Sequence, residues 1–306
     1  MIDQSFVHTH VPILDGEKSY MTFPIIDSHQ HVWDPARADY GWLAREPAAI
    51  NRAFTLGDAL PELRAAGVER VVHVQSADNI EDTELMRASA AQHDEVVAIV
   101  AYAPLERPGE VARLAESWRG DSLMVGVRNL IHNMPDPDWL LRSDVDEGLG
   151  VLEREGLAFD IVAVLDRHIE LVPIVAQRHP DLRIVVDHLG KPPIGAESRE
   201  PWWDLIAAAS EAPNVFGKVS GLYSSAADPG ETTTAQIAPF FERALEVFGP
   251  ERLMYGGDWP ISVMAGGYSR VWSSLLPLFN RMEPAAKERL LGGTAAEFYR
   301  IDPSRI

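Results

Sequence analysis

Residues 71–100 read VVHVQSADNIEDTELMRASAAQHDEVVAIV, and the order of their side chains decides the fold. Val71-Val72-His73-Val74-Gln75 is a short β-branched run and Val96-Val97-Ala98-Ile99-Val100 is a second, while the stretch from Asp82 to His93 between them has the composition of a helix. Strand, helix, strand is the repeating unit of a parallel sheet, because parallel neighbours need a long crossover where antiparallel ones need only a turn. Working outward, Ile25-Ile26-Asp27 precedes this unit. After it come Met124-Val125-Gly126-Val127-Arg128, Ala158-Phe159-Asp160-Ile161-Val162, Ile184-Val185-Val186-Asp187-His188, Val215-Phe216-Gly217-Lys218-Val219 and Leu253-Met254-Tyr255-Gly256. The stretches Glu110–Trp118, Ile169–Arg178 and Ile237–Phe248 carry apolar residues three and four apart, as amphipathic helices do. Another helix is announced by Asp58 and Ala59 before Leu60-Pro61 and closed by Gly67.

Eight strands with intervening helices favour an α/β fold of the closed (β/α)8 TIM-barrel type over an open sheet, and 306 residues suit one such barrel with a tail. No Pro/Gly/Ser-rich linker splits the chain. Residues 24–306 therefore read as a single barrel domain, and residues 1–23 as a loosely ordered N-terminal extension.

Composition narrows the function. Asp and Glu number 46 against 27 Lys and Arg, a net charge of −19 that repels nucleic acid. No run approaches the roughly 18 apolar residues that a bilayer span needs, and the N-terminus has no basic segment leading into an apolar one. With no cysteine, disulfides, thiolate metal sites and a cysteine nucleophile are excluded, which agrees with a reducing cytoplasm. Any metal must be held by histidine and carboxylate.

In a barrel of this kind the side chains at the C-terminal strand ends face one mouth, wherever they lie in sequence. Asp27-Ser28-His29-Gln30-His31 ends the first strand, and residues two apart in an extended segment share a face, so His29 and His31 can share one ligand. The sixth strand ends in Asp187-His188-Leu189-Gly190-Lys191, the seventh in Lys218-Val219-Ser220 and the eighth in Gly256-Gly257-Asp258-Trp259-Pro260. Gln75 closes the second strand, Arg128 the fourth, and the fifth offers Asp160.

Together, Ile26-Asp27-Ser28-His29-Gln30-His31-Val32-Trp33, Asp187-His188-Leu189-Gly190-Lys191-Pro192 and Tyr255-Gly256-Gly257-Asp258-Trp259-Pro260 resemble the amidohydrolase-related lactonases, the sugar-acid and pyrone-dicarboxylate lactone hydrolases. The similarity runs to Gly292-Gly293-Thr294-Ala295-Ala296. It implies a barrel whose last-strand aspartate, here Asp258, takes a proton from water attacking a lactone carbonyl. His29, His31, His188 and Asp258 would then hold one divalent ion, zinc first, or the histidines would polarise the carbonyl with no ion at all. Arg128 stands where the wider superfamily places a metal-bridging residue, which argues against two ions and for a clamp on substrate. Lys191 and Lys218 match cationic substrate contacts, and Trp33 and Trp42 suit the apolar face of a sugar ring.

Other readings stay beside this one. His8-Thr9-His10 repeats the His-x-His spacing with no β-rich run before it and is expected to carry no site. Asp27 either orients an imidazole or is satisfied by backbone N–H groups. His73, His132, His168 and His179 fit satisfied core histidines. A metal-dependent decarboxylase of the same superfamily, or a barrel that only binds a ligand, would use the same motifs. The expected partner is a small lactone, with no nucleic acid and no membrane; a homo-oligomer is left open.

Overall fold

The structure, a computed structural model, describes residues 23–226 and 228–306. Eight strands follow one another in chain order, all parallel: β1 Ile25–Gln30, β2 Val68–Val74, β3 Val96–Ala101, β4 Met124–Asn129, β5 Ala158–Ile161, β6 Ile184–Val186, β7 Val215–Val219 and β8 Leu253–Tyr255. Helices fill the connections: α1 Leu56–Ala66, α2 Ile80–Ala90, α3 Pro108–Trp118, α4 Ser143–Glu155, α5 Asp166–Arg178, α6 Trp202–Ser210, α7 Thr234–Phe248 and α8 Tyr268–Phe279, with short α9 Pro284–Glu288 and α10 Thr294–Phe298 at the end. This is a TIM barrel. The pair His8 and His10 lies outside the described residues.

The sequence places α1 two residues late. Thr55 and Asp58 form a capping box, with the Thr55 N–H and hydroxyl both donating to Asp58 Oδ2 at 2.8 Å, so the helix starts at Leu56. The expectation that β6 stays extended through His188 also differs from what is found: it ends at Val186, and Asp187–Gly190 form a tight turn.

β1 and β8 close the barrel beyond the end of β8. The His31 N–H donates to the Trp259 carbonyl at 2.8 Å and the Asp258 N–H to the His29 carbonyl at 2.9 Å. The Asp27 carboxylate reinforces the seam. It accepts from the backbone N–H of His29 at 3.0 Å and of Gly257 at 2.8 Å, from the Tyr268 hydroxyl at 2.8 Å, and from the Gln30 amide. Of the two sequence readings of Asp27, backbone satisfaction is the one found. Burial pushes its carboxyl up to about 6, although all four donors pull the other way.

Inside the barrel, Ile26, Val72, Val74, Ala98, Val100, Val185 and Met254 form a cluster with Phe298, Tyr299 and Ile301 from the C-terminal segment. The remaining core lies between the strands and the ring of helices. Closure at the mouth demands a small residue. A Cβ on Gly256 would sit 2.6 Å from the His29 Cβ and 3.0 Å from the Ser220 Cβ. Gly256→Ala is therefore expected to destabilise the fold by about 1–3 kcal/mol through overpacking. Gly109→Ala, on an open helical turn whose nearest neighbour would be 4.0 Å away, is expected to be neutral or stabilising by up to ~1 kcal/mol. Urea unfolding of the two variants checks the difference in sign.

Candidate active site

His29 lies at the centre of the mouth. Its ring centroid is 4.8 Å from that of His31 and 4.6 Å from that of His188, bringing together imidazoles from β1 and from the turn after β6. Asp258, just past β8, points its Oδ1 at both β1 histidines, 3.5 Å from His31 Nε2 and 3.8 Å from His29 Nε2. All four residues are buried. His188 Nδ1 meets the Ser220 hydroxyl at 2.9 Å.

The backbone bends sharply to bring them there. His188, Leu189, Lys191 and Asp258 have φ between 51° and 56°, a region that residues with a Cβ seldom enter. Each such residue costs on the order of 1 kcal/mol or more and persists only where its surroundings enforce it. Gly221 gives room opposite, since a Cβ there would meet Asp258 Oδ2 at 2.8 Å.

Beneath His29 lies a buried set of opposite charges. Arg128 Nη1 donates to Asp187 Oδ2 at 2.9 Å and stands 3.2 Å from His29 Nε2, while Nη2 donates to the Gln75 carbonyl. Lys218 Nζ donates to Asp160 Oδ2 at 2.5 Å and lies 3.1 Å from His29 Nδ1 and 3.2 Å from Asp187 Oδ1. The Tyr299 hydroxyl donates to the same Asp160 oxygen at 2.8 Å. Burial holds His29 and His188 well below the ordinary histidine range, so both rings are neutral at pH 7. Burial alone would raise the Asp187 and Asp258 carboxyls. Lys218, His29 and Arg128 overcome it at Asp187, and His188, His31 and Lys191 at Asp258, so both groups fall below the usual carboxylate range.

The donor set suits a divalent ion. His29, His31 and Asp258 place one ligand atom each within 4.8 Å of one another, and so do His29, Asp187 and His188. His31 Nδ1 meets the Val74 carbonyl at 2.7 Å, which can only accept, so Nδ1 carries the proton and Nε2 turns to Asp258. In the neutral ring, Nε2 and the facing carboxylate oxygen are both acceptors, an arrangement completed by a cation or a proton shared between them. Both ligand groups share His29, which fits one ion better than two.

The other residues singled out by sequence lie as follows. Arg128 and Lys218 are buried in the contacts described, with the Arg128 Nε–H left without a partner among the described residues. Lys191 gives one hydrogen bond, to the Ser224 hydroxyl at 3.0 Å, and its ammonium acts electrostatically on Asp258. Trp33 is wholly buried, its N–H shared between the Ile50 and Arg52 carbonyls, 6.4 Å from the His31 ring. Trp42 packs edge-on against Trp33 and donates to the Ser76 carbonyl at 2.8 Å. His73 bonds Ser89, His168 accepts from the backbone at the start of α5, and His179 sits between Asp146 and Glu153. Sequence reading did not single out Asp187, whose only signal is its place directly before His188, as a functional residue. It also missed Tyr223 and Ser262, whose buried hydroxyls have no hydrogen-bond partner among the described residues and line the cleft that Asp258 borders.

The profile of the amidohydrolase family matches residues 26–301. An L-fucono-1,5-lactonase of Burkholderia ambifaria is 34% identical over 289 residues, 92% of this chain and 97% of that protein. An L-fucono-1,5-lactonase of Burkholderia multivorans is 30% identical, covering 90% and 96%. A crystal structure of an amidohydrolase from Burkholderia multivorans with bound zinc superposes with a TM-score of 0.83 at 28% identity, covering 91% of this chain and all of that one.

The charge set sets a clear expectation for stability. Lys218→Met removes one partner and leaves Asp160 buried without its counter-ion, which is expected to cost about 3–5 kcal/mol in urea unfolding. Adding Asp160→Asn is expected to restore part of that loss, since the two residues are in contact and their effects do not add.

Proposed function

Because the chain belongs to the amidohydrolase family, we propose that it is a lactonase that opens a sugar-acid lactone of the L-fucono-1,5-lactone class to its hydroxy acid. The observation that carries this reading is the Asp258 carboxylate, kept ionised at the mouth and faced by His31, His29 and His188. An ionised carboxylate is the form that accepts a proton, and a small lactone is an activated ester for which base-assisted water attack suffices.

Asp258 takes a proton as water adds to the lactone carbonyl, and the oxyanion that forms is met by the cationic and imidazole groups around it. When the bond from the carbonyl carbon to the ring oxygen breaks, Asp258 returns the proton to that oxygen. The new carboxyl group ionises, so each turnover releases one proton. Lys191, beside Asp258 and holding only one hydrogen bond, faces the emerging carboxylate. Arg128 and Lys218 act on substrate through His29 and Asp187, which they hold in place. Trp33 and Trp42 form the aromatic wall behind His31. His29, His31 and Asp258, with His188 and Asp187 adjoining, would hold a zinc ion, which would lower the pKa of the attacking water. We place the reaction in the cytoplasm, in keeping with a cysteine-free chain.

A pH-indicator assay with L-fucono-1,5-lactone and related aldonolactones tests the proposal. Asp258→Asn is expected to lower kcat by roughly 10²–10⁴. Unchanged proton release in that variant, or release of carbon dioxide from an aromatic acid in place of lactone opening, would overturn the assignment. Chelation followed by zinc addition reads the ion's share of the rate.

The pH profile has a definite sign. Asp258 works ionised and its pKa is depressed, and the neutral imidazoles protonate only in acid. After subtraction of spontaneous hydrolysis, kcat/KM is expected to stay level from about pH 8 down to about pH 5, falling only below the ordinary aspartate value of about 3.9. A descending limb centred near 6.5 would show that a histidine must be neutralised first.

A further inference from the structure

At the end of the barrel opposite the mouth, the starts of β4, β5 and β6 and the C-terminal segment enclose a cavity of about 250 Å³. Its lining includes Arg119, Arg183, Arg300, Gly120, Gly156 and Tyr299. Two guanidinium groups converge at Gly156: Arg183 donates from Nη2 to its carbonyl and from Nη1 to the Phe298 carbonyl, and Arg300 Nη1 lies 3.2 Å from where the Gly156 Cβ would stand. Neither has a carboxylate partner among the described residues. The two acids of the lining are already taken, Glu155 by Arg119 at 3.0 Å and Asp121 by Arg87 at 3.1 Å. Two arginine charges are left uncompensated there, in a chain of net charge −19. Arg183 feels this excess. Burial first, and then Arg300, bring its guanidinium down to about 10.

Backbone conformation singles out the same residue. Among the described residues, five other than glycine have positive φ; four belong to the mouth and the fifth is Arg300, at 51°. That conformation ends α10 in a Schellman motif, with the Arg300 N–H donating to the Glu297 carbonyl at 3.1 Å and the Ile301 N–H to the Ala296 carbonyl at 2.9 Å. The Arg300 side chain lines the cavity with no hydrogen bond among the described residues, and an anion placed between it and Arg183 would accept N–H···O bonds from both guanidinium groups.

We propose that this cavity binds a small phosphate dianion, free or as a monoester, between Arg183 and Arg300. Two positive charges match its charge, and the volume admits one small molecule. The site is remote from Asp258, so it stands whether or not the lactonase reading does.

Thermal unfolding and calorimetric titration with inorganic phosphate, glycerol phosphate and an ionic-strength-matched chloride control test it on the full chain. Saturable binding with a rise in Tm is expected for a phosphate and not for chloride, by preferential binding to the folded state. Arg300→Gly, which removes the guanidinium and suits a left-handed backbone, is expected to weaken binding at least tenfold while leaving Tm in phosphate-free buffer unchanged or higher. Arg300→Glu is expected to abolish binding. Asp258→Asn is expected to bind as the wild type does. Stronger binding of glycerol phosphate identifies a monoester, and stronger binding of inorganic phosphate identifies the free ion. No saturable binding by the wild type, equal binding by Arg300→Gly, or loss in Asp258→Asn with retention in Arg300→Gly would each overturn the proposal.

Discussion

Charge balance inside a closed barrel governs this structure. Lys218 and Arg128 lie in an interior where an unpaired ion would cost several kcal/mol, and Asp160 and Asp187 are there to meet them. That requirement fixes more than stability. Asp187 is gripped by both cations, which starts the tight turn after β6 and sends His188 toward Ser220 and the mouth. The same two cations flank both nitrogens of His29 and hold its ring in place, while burial first, and Lys218 after it, keep the ring neutral. What lies above, a carboxylate facing three imidazoles, rests on this buried layer.

The fold was legible because β-branched runs alternate with amphipathic stretches through almost the whole chain, and strand ends in a parallel barrel share a face whatever their order. That rule was enough to gather His29, His31, His188 and Asp258. It did not distinguish outward from inward cations. Arg128 and Lys218 end strands just as Lys191 follows one, yet the pleat and the carboxylates of neighbouring strands decide which cation stays buried, and those neighbours are distant in sequence. Asp160 and Asp187 were hidden for the same reason: a strand-end aspartate has no local mark to separate an ion-pair partner from a turn former. The left-handed backbone at His188 and Asp258 was equally unreadable, because only tertiary packing imposes it on residues that normally avoid it.

The two ends of the barrel differ in charge. At the C-terminal end, Asp187 and Asp258 converge with three imidazoles. The N-terminal end, plugged by Phe298, Tyr299 and Ile301, carries the arginine excess in an otherwise acidic molecule. Tyr299 belongs to both, lining the lower cavity and bonding Asp160 in the layer under His29.

The Asp27 seam ties together positions 230 and 241 residues apart, so the pocket joins the first strand to the turn and helix that follow the last. Contacts of such long sequence separation are slow to form, since a large loop must close before they repay it. A chain emerging from the ribosome therefore holds its histidine pair long before the partner carboxylate exists. Until the final strand docks, it has no competent centre, and the appearance of turnover during refolding would time the last step of assembly.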